Sequence, residues 1–313
     1  MTNSSAERLK IAYITATDAR NKHSWSGTDY YIWNTLQKNV GDILLMQPAE
    51  PSFLIFLLKA LHGLSLYVFK KRFDWRHSTL LSKAYAKRIQ KMLDGKKIDL
   101  IVAPASDTLI ARLDTSIPII YINDRTIAGA LGYHKMLSDL WKFSEKQSLE
   151  TDQKAIEKSL FVTYPSEWAA QSAIKHYGAS KEKIFVLPFG ANMDEIPDRA
   201  VALEHTKGTC CKLLFIGVNW KDKGGELAYE CLMELLKLGI DAELTVVGCT
   251  PPDQFKHIKL NVIPFLNKNK HNDFERLKSL WKDSTFLILP TRIDAFGIVF
   301  CEAAAYGLPS LGT

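Results

Sequence analysis

The sequence predicts an α/β fold of two domains, each a parallel sheet with helices between its strands. Three observations carry that expectation. The chain has 313 residues, too many for one ordinary small domain. Short apolar runs alternate with helix-length stretches, the pattern of parallel βαβ units. The series also pauses in a polar stretch and then restarts.

Taken in order, LKIAYIT (Leu9–Thr15) is a first buried strand, and the Gly-containing loop HSWSGTDYYIWNTL opens a helix. IDLIVAP (Ile98–Pro104) and IPIIYI (Ile117–Ile122) are strands with a helix-like SDTLIARL between them. LFVTYP, the helix EWAAQSAIKHYG and KIFVLPFG bring the series to Gly190. A stretch rich in turn and charged residues follows, Asn192–Gly208. CKLLFIG is then a strand, and GELAYECLMELLKLG an amphipathic helix ended by Gly239. AELTVVG, TFLILP and LPSLGT are further strands, with helices at NDFERLKSLWKD and GIVFCEAAAYG. Two Rossmann-like arrays are therefore expected, residues 1–190 and 191–313. In such a pair the carboxyl ends of the strands face each other across a cleft, where ligands bind.

Composition narrows the class. With 47% hydrophobic and 24% charged residues the chain reads as soluble and globular. Five cysteines, without a CxxC pair, suit a reducing compartment and argue against disulfides or a zinc site. MTNSSAERLK lacks a signal-peptide core, so a cytoplasmic location is expected. The net charge of +6 is uneven: Leu66–Lys97 holds ten Lys/Arg against two Asp, a local +8, leaving −2 elsewhere.

The most informative stretch closes the sequence, RIDAFGIVFCEAAAYGLPSLGT. It follows the TFLILP strand, and its helix begins at Gly297, where the lack of a Cβ lets a ligand approach the backbone. The amides of Ile298 and Val299 are then unpaired donors at a positive helix end, a seat for phosphate. Glu302 lies about 7.5 Å further along the helix axis. A carboxylate so close to a phosphate suits acceptance from hydroxyls, such as those of a ribose, just beyond it. Asp294, in the preceding loop, would accept from hydroxyls of a second group. Phosphate between two polyols describes a nucleotide sugar.

This stretch resembles the acid-x7-acid motif of family 4 retaining glycosyltransferases (glycosyl transferases group 1), which have the GT-B fold. EAAAYGLPSLGT continues the likeness. The family usually has Glu at both positions, whereas the first here is Asp294. The resemblance implies that Asp294, Phe296, Gly297, Ile298 and Val299 hold the donor sugar and its β-phosphate, with Glu302 on the ribose. Members normally continue well past this motif, so the resemblance also implies an incomplete second domain.

FIGVNWKDKGG (Phe215–Gly225) follows the first strand of the second array. The family has a Gly-Arg pair and then Lys-Gly there, whose cations hold the donor pyrophosphate. Gly217 and Lys223 match, but Val218 stands at the arginine position; Lys221 or Arg292 could supply that charge, though lysine cannot form an arginine's paired bonds. In the first array Gly27 resembles the family's amino-terminal glycine loop, and is otherwise a turn glycine. Asp124, just past a strand end, faces the reacting carbon by the resemblance, or else caps the next helix. Catalysis would thus rest on Asp124, Lys223 and Asp294. No D-x-D sequence occurs, so no metal is expected; nor is any cofactor besides the co-substrate.

The apolar stretch Pro51–Phe69 is nearly long enough to cross a bilayer, but Lys59, His62 and Pro51 argue against crossing. It runs into the basic segment. Residues 51–97 read either as a dock for an anionic membrane surface, giving peripheral association, or as a core helix beside a solvated basic face. No nucleic-acid motif accompanies the charge.

The expected function is retaining transfer of a sugar from a nucleotide-diphosphate sugar to a saccharide or lipid-linked acceptor, in surface polysaccharide or glycolipid synthesis. The alternative is a GT-B protein that binds a nucleotide or partner without transfer. A dehydrogenase is disfavoured, because ATDARNKHSWSG lacks G-x-G-x-x-G.

Overall fold

The computed structural model describes residues 8–203 and 208–313. Residues 1–7, and 204–207 of the polar stretch Asn192–Gly208, lie outside the described residues. The chain forms two compact units: Met1–Arg20 with Asp29–Pro188, and Asn21–Thr28 with Phe189–Thr313.

The first unit runs β1 (Leu9–Ile14), α1 (Thr28–Asn39), β2 (Gly41–Met46), α2 (Ser52–Phe69), α3 (Thr79–Leu93), β3 (Leu100–Pro104) and α4 (Asp107–Ile110). It continues through β4 (Ile119–Ile122), α5 (Ile127–Ala130), α6 (Lys142–Lys158), β5 (Phe161–Tyr164), α7 (Glu167–Tyr177) and β6 (Ile184–Val186). All six strands are parallel, in the order β2-β1-β3-β4-β5-β6. The apolar run of β1 serves both faces of this sheet. Ala12 and Ile14 enter one core with Ile101 and Tyr121, while Ile11 and Tyr13 enter another beside Trp33 and Leu36 of α1. Burial on both faces is what a continuous apolar strand requires.

Helix α7 shows why its boundaries fall where they do. The Ser166 hydroxyl accepts from Ala169 N, satisfying one orphan amide, and Gly178 closes the helix in the left-handed region at φ +64°. The helix-like SDTLIARL shrinks to the single turn of α4.

The second unit runs α8 (Arg199–Leu203), β7 (Cys211–Ile216), α9 (Gly225–Lys237), β8 (Ala242–Val247), β9 (Leu260–Ile263), α10 (His271–Asp283), β10 (Phe286–Leu289), α11 (Ile298–Ala305) and β11 (Ser310–Gly312). Its sheet is parallel in the order β11-β10-β7-β8-β9. One core joins Phe215, Leu232, Val246, Trp281 and Leu289. Because β7 and β10 are neighbours, the loops leaving their carboxyl ends are brought side by side.

Candidate functional site

Those two loops are clipped together by a single carbonyl. Asp222 O accepts from Arg292 N at 2.8 Å and from Ile293 N at 3.2 Å, tying the segment after β7 to the segment after β10. The crossing is close because Gly224 has no side chain. A Cβ there would lie 1.9 Å from Pro290 O, and its φ is +73°. Gly224→Ala is therefore expected to cost about 2–4 kcal/mol, combining left-handed strain with a backbone clash. Gly239→Ala is the control: φ is +78° but nothing lies within 4 Å, so only about 1 kcal/mol is expected. Thermal unfolding of the two variants separates clash from strain.

The clip sets Lys223 against Asp294. Lys223 Nζ donates to Asp294 Oδ2 at 2.5 Å and to Ile293 O at 3.3 Å. The other carboxylate oxygen, Oδ1, accepts from Gly297 N at 3.1 Å. Gly217 makes room for the lysine stem, since a Cβ there would come 2.8 Å from Lys223 Cγ. Helix α11 begins after Gly297 (φ +79°) with no side-chain cap. Among the described residues no group accepts from the amides of Ile298 or Val299.

Glu302 is 3% exposed. Lys268, in the loop before α10, donates to Glu302 Oε1 at 2.5 Å. Burial pushes the Glu302 carboxyl above its ordinary value, and Lys268 opposes the shift. A raised value means the folded protein holds this proton more tightly than the unfolded chain. Ionising Glu302 therefore costs stability as pH rises past the usual carboxylate range, and Lys268 reduces that cost. An acceptor role for hydroxyls requires the ionised form, so ligand affinity that depends on it falls as pH falls. In Lys268→Met that fall is expected to move to higher pH, and a nucleoside diphosphate used as probe should bind more weakly near neutrality. Calorimetric titration from mildly acid to mildly alkaline pH measures it.

Gly217, Val218, Lys223, Asp294, Ile298, Val299 and Glu302 all line one cavity of about 250 Å³. That is just below the roughly 300–1,000 Å³ of drug-sized ligand sites, so the cavity seats part of such a ligand. Other predicted residues stand elsewhere. Phe296 packs edge-on against Phe189, ring centroids 5.3 Å apart. Gly27 (φ +94°) abuts Asn192, whose amide donates to Ser26 O at 2.9 Å. Asp124 lies in the first unit, in the loop after β4. It is not the cap of α5: Thr126 fills that role, its Oγ1 accepting from Gly129 N. Arg292 does not turn to the cavity either, since it donates to Lys221 O and Glu226 Oε2, both at 3.0 Å.

Sequence reasoning missed Lys268 and Lys22, which line the cavity together with His23. His23 Nε2 is 2.7 Å from Asn267 Oδ1, and Lys22 Nζ is 2.5 Å from Asp194 Oδ2. The available signal was NKNK, an Asn/Lys loop between a strand and a helix. The same arrangement can do one kind of chemistry well. An ammonium and two bare amides suit a diphosphate, while a buried carboxylate deeper in suits hydroxyls.

Residues 210–313 match the family described as Glycosyl transferases group 1. A D-inositol 3-phosphate glycosyltransferase of Corynebacterium aurimucosum is 24% identical over 216 residues, covering 62% of this chain and 49% of that protein. The chain thus spans about half the length of the curated relatives it matches. Among solved structures, sucrose-phosphate synthase from Thermosynechococcus elongatus superposes with a TM-score of 0.63 at 13% identity, covering 97% of this chain and 81% of that one. WaaG, a glycosyltransferase involved in lipopolysaccharide biosynthesis, gives 0.55 at 18% identity, covering 96% and 80%. The motif region, the two parallel sheets and these likenesses converge: residues 210–313 match the glycosyl transferases group 1, and the fold of the chain is GT-B.

Proposed function

We propose that the chain transfers a sugar from a nucleotide-diphosphate sugar to an acceptor hydroxyl, with retention at the reacting carbon. One observation carries the reading: Lys223, the Ile298 and Val299 amides, and Glu302 converge on a single cavity. The donor's diphosphate would lie across Lys223 and the start of α11, displacing Asp294 from the ammonium. Asp294 would then accept from the sugar, and Glu302 from the ribose. Charge building on the departing diphosphate would be met by these fixed donors. The acceptor is a saccharide or lipid-linked hydroxyl, and the departing phosphate oxygen takes its proton.

The test is a thermal-shift screen of nucleoside diphosphates and their sugars. Binding raises the melting temperature according to affinity. A shift abolished in Glu302→Ala, together with turnover of the same nucleotide sugar, supports transfer. A second reading, binding without transfer, draws on Val218, which is 81% exposed and bears no charge. Lys268 and Lys22 supply cations in the cavity in its place. Saturable nucleotide binding with no sugar released to water or acceptor would favour this second reading.

A further inference from the structure

Helix α2 carries its apolar side outward. Along its 18 residues Phe53, Phe56, Leu57, Leu61, Leu64 and Tyr67 are exposed, three of them (Phe53, Phe56 and Tyr67) by 66–79%. They recur at three- and four-residue steps and so form one stripe. Only Ile55 and Leu58 are buried. Two polar side chains turn toward the fold instead. His62 Nδ1 is 2.7 Å from Phe73 O, and Ser65 Oγ donates to Lys71 O and accepts from Trp141 Nε1. A helix facing water has the opposite arrangement.

Charge identifies the occupant. From Pro51 to Phe73 there is no Asp or Glu, whereas Lys59, Lys70, Lys71 and Arg72 stand there. Lys70 Nζ lies 5.7 Å from the Tyr67 ring, Lys71 Nζ 5.7 Å from Trp141, and Lys59 Nζ 5.0 Å from Trp75. Cations beside Trp and Tyr at the rim of an apolar stripe are the make-up of a membrane-interface segment. The geometry points to an anionic bilayer surface: α2 lies in the headgroup region, stripe inward, with its lysines on lipid phosphates. By length and mean hydropathy (1.7) α2 could cross a bilayer. The inward bonds of His62 and Ser65, with Ile55 and Leu58 in the core of the first unit, hold it flat instead. A second copy is a poorer occupant, because it would bring the same cations and no acidic residue from Pro51–Phe73 to meet them.

The test is sedimentation of the full chain with phosphatidylcholine vesicles, with and without phosphatidylglycerol. Binding to the anionic vesicles alone is expected, falling about fivefold for each lysine removed, hence about 25-fold in Lys70→Ala/Lys71→Ala. Phe56→Glu/Leu64→Glu should abolish it; both side chains are exposed, so circular dichroism should be unchanged. Equal binding to neutral vesicles, or by either variant, would overturn the inference. So would resistance to alkaline extraction, which means crossing, or a dimer that Phe56→Glu/Leu64→Glu converts to monomer without affecting vesicles. Nucleotide affinity should be unchanged in these variants, so the surface and the proposed transfer stand or fall separately.

Discussion

Lys223→Ala is expected to lower kcat/KM for the proposed sugar transfer by about 100- to 1,000-fold, the cost of removing one fixed donor from a developing negative charge. The effect is separable from folding. The Lys223 and Asp294 side chains are 21% and 23% exposed, and a pair so placed adds only about 0–1 kcal/mol to stability. Arginine should not rescue it. The lysine stem is threaded past Gly217, and a planar guanidinium of different reach cannot put one charge at the same point. A loss below fivefold, with normal nucleotide affinity, would mean that Lys223 serves only to neutralise Asp294.

The grouping around this cavity was legible in the sequence because it is built from local motifs. Asp294, Gly297 and Glu302 occupy one strand–loop–helix unit, and Lys223 one loop after another strand. Lys268 was not legible, since its Asn/Lys loop matches no motif and only the fold brings it to Glu302, 34 positions away. The elements that escaped notice failed for identifiable reasons. Strands β2 and β9 are sheet edges, half-exposed and short on apolar contrast. Helix α6 buries Ser144, Ser148, Thr151 and Asp152, a stripe with helical spacing but no hydrophobic signal. Helix α2 has the signal with its sense reversed, so composition found the helix but not which side faces the core.

That polar stripe of α6 leads to the largest expected effect on stability, His77→Ala, at about 3–5 kcal/mol near pH 6. His77 Nδ1 is 2.6 Å from Asp74 Oδ2, and its Nε2 is 3.3 Å from Asp107 Oδ2. Ser148 Oγ donates to Asp74 Oδ2 at 2.7 Å, and Thr151 Oγ1 to His77 O at 3.0 Å. The histidine thus ties the start of α3 to α4 and α6. Burial alone would drive its proton off, but Asp107 and Asp74 together hold its value well above the ordinary one. Both carboxyls are lowered in turn by His77 despite their burial. The signs fix the window. Lowered carboxyls contribute stability that is lost as pH falls below about 4; the raised histidine contributes stability complete below about 6.5 and lost as pH climbs through its folded value. Asp152, pushed up to about 7 by burial and by Asp107, removes stability earlier, between the ordinary carboxylate range and about pH 7, where the unfolded chain has released this proton and the fold still holds it. Stability should therefore decline from pH 6.5 to 8. Without the imidazolium, Asp74 and Asp107 are left buried and uncompensated, with Tyr121 and Tyr164 near Asp107 and no other cation among the groups that shift them. They would take up protons, so the deficit of His77→Ala should shrink on acidification from pH 6 to 4.5. Denaturant unfolding at pH 4.5, 6 and 8 measures this. A deficit under 1 kcal/mol, or one that ignores pH, would mean that His77 only fills space.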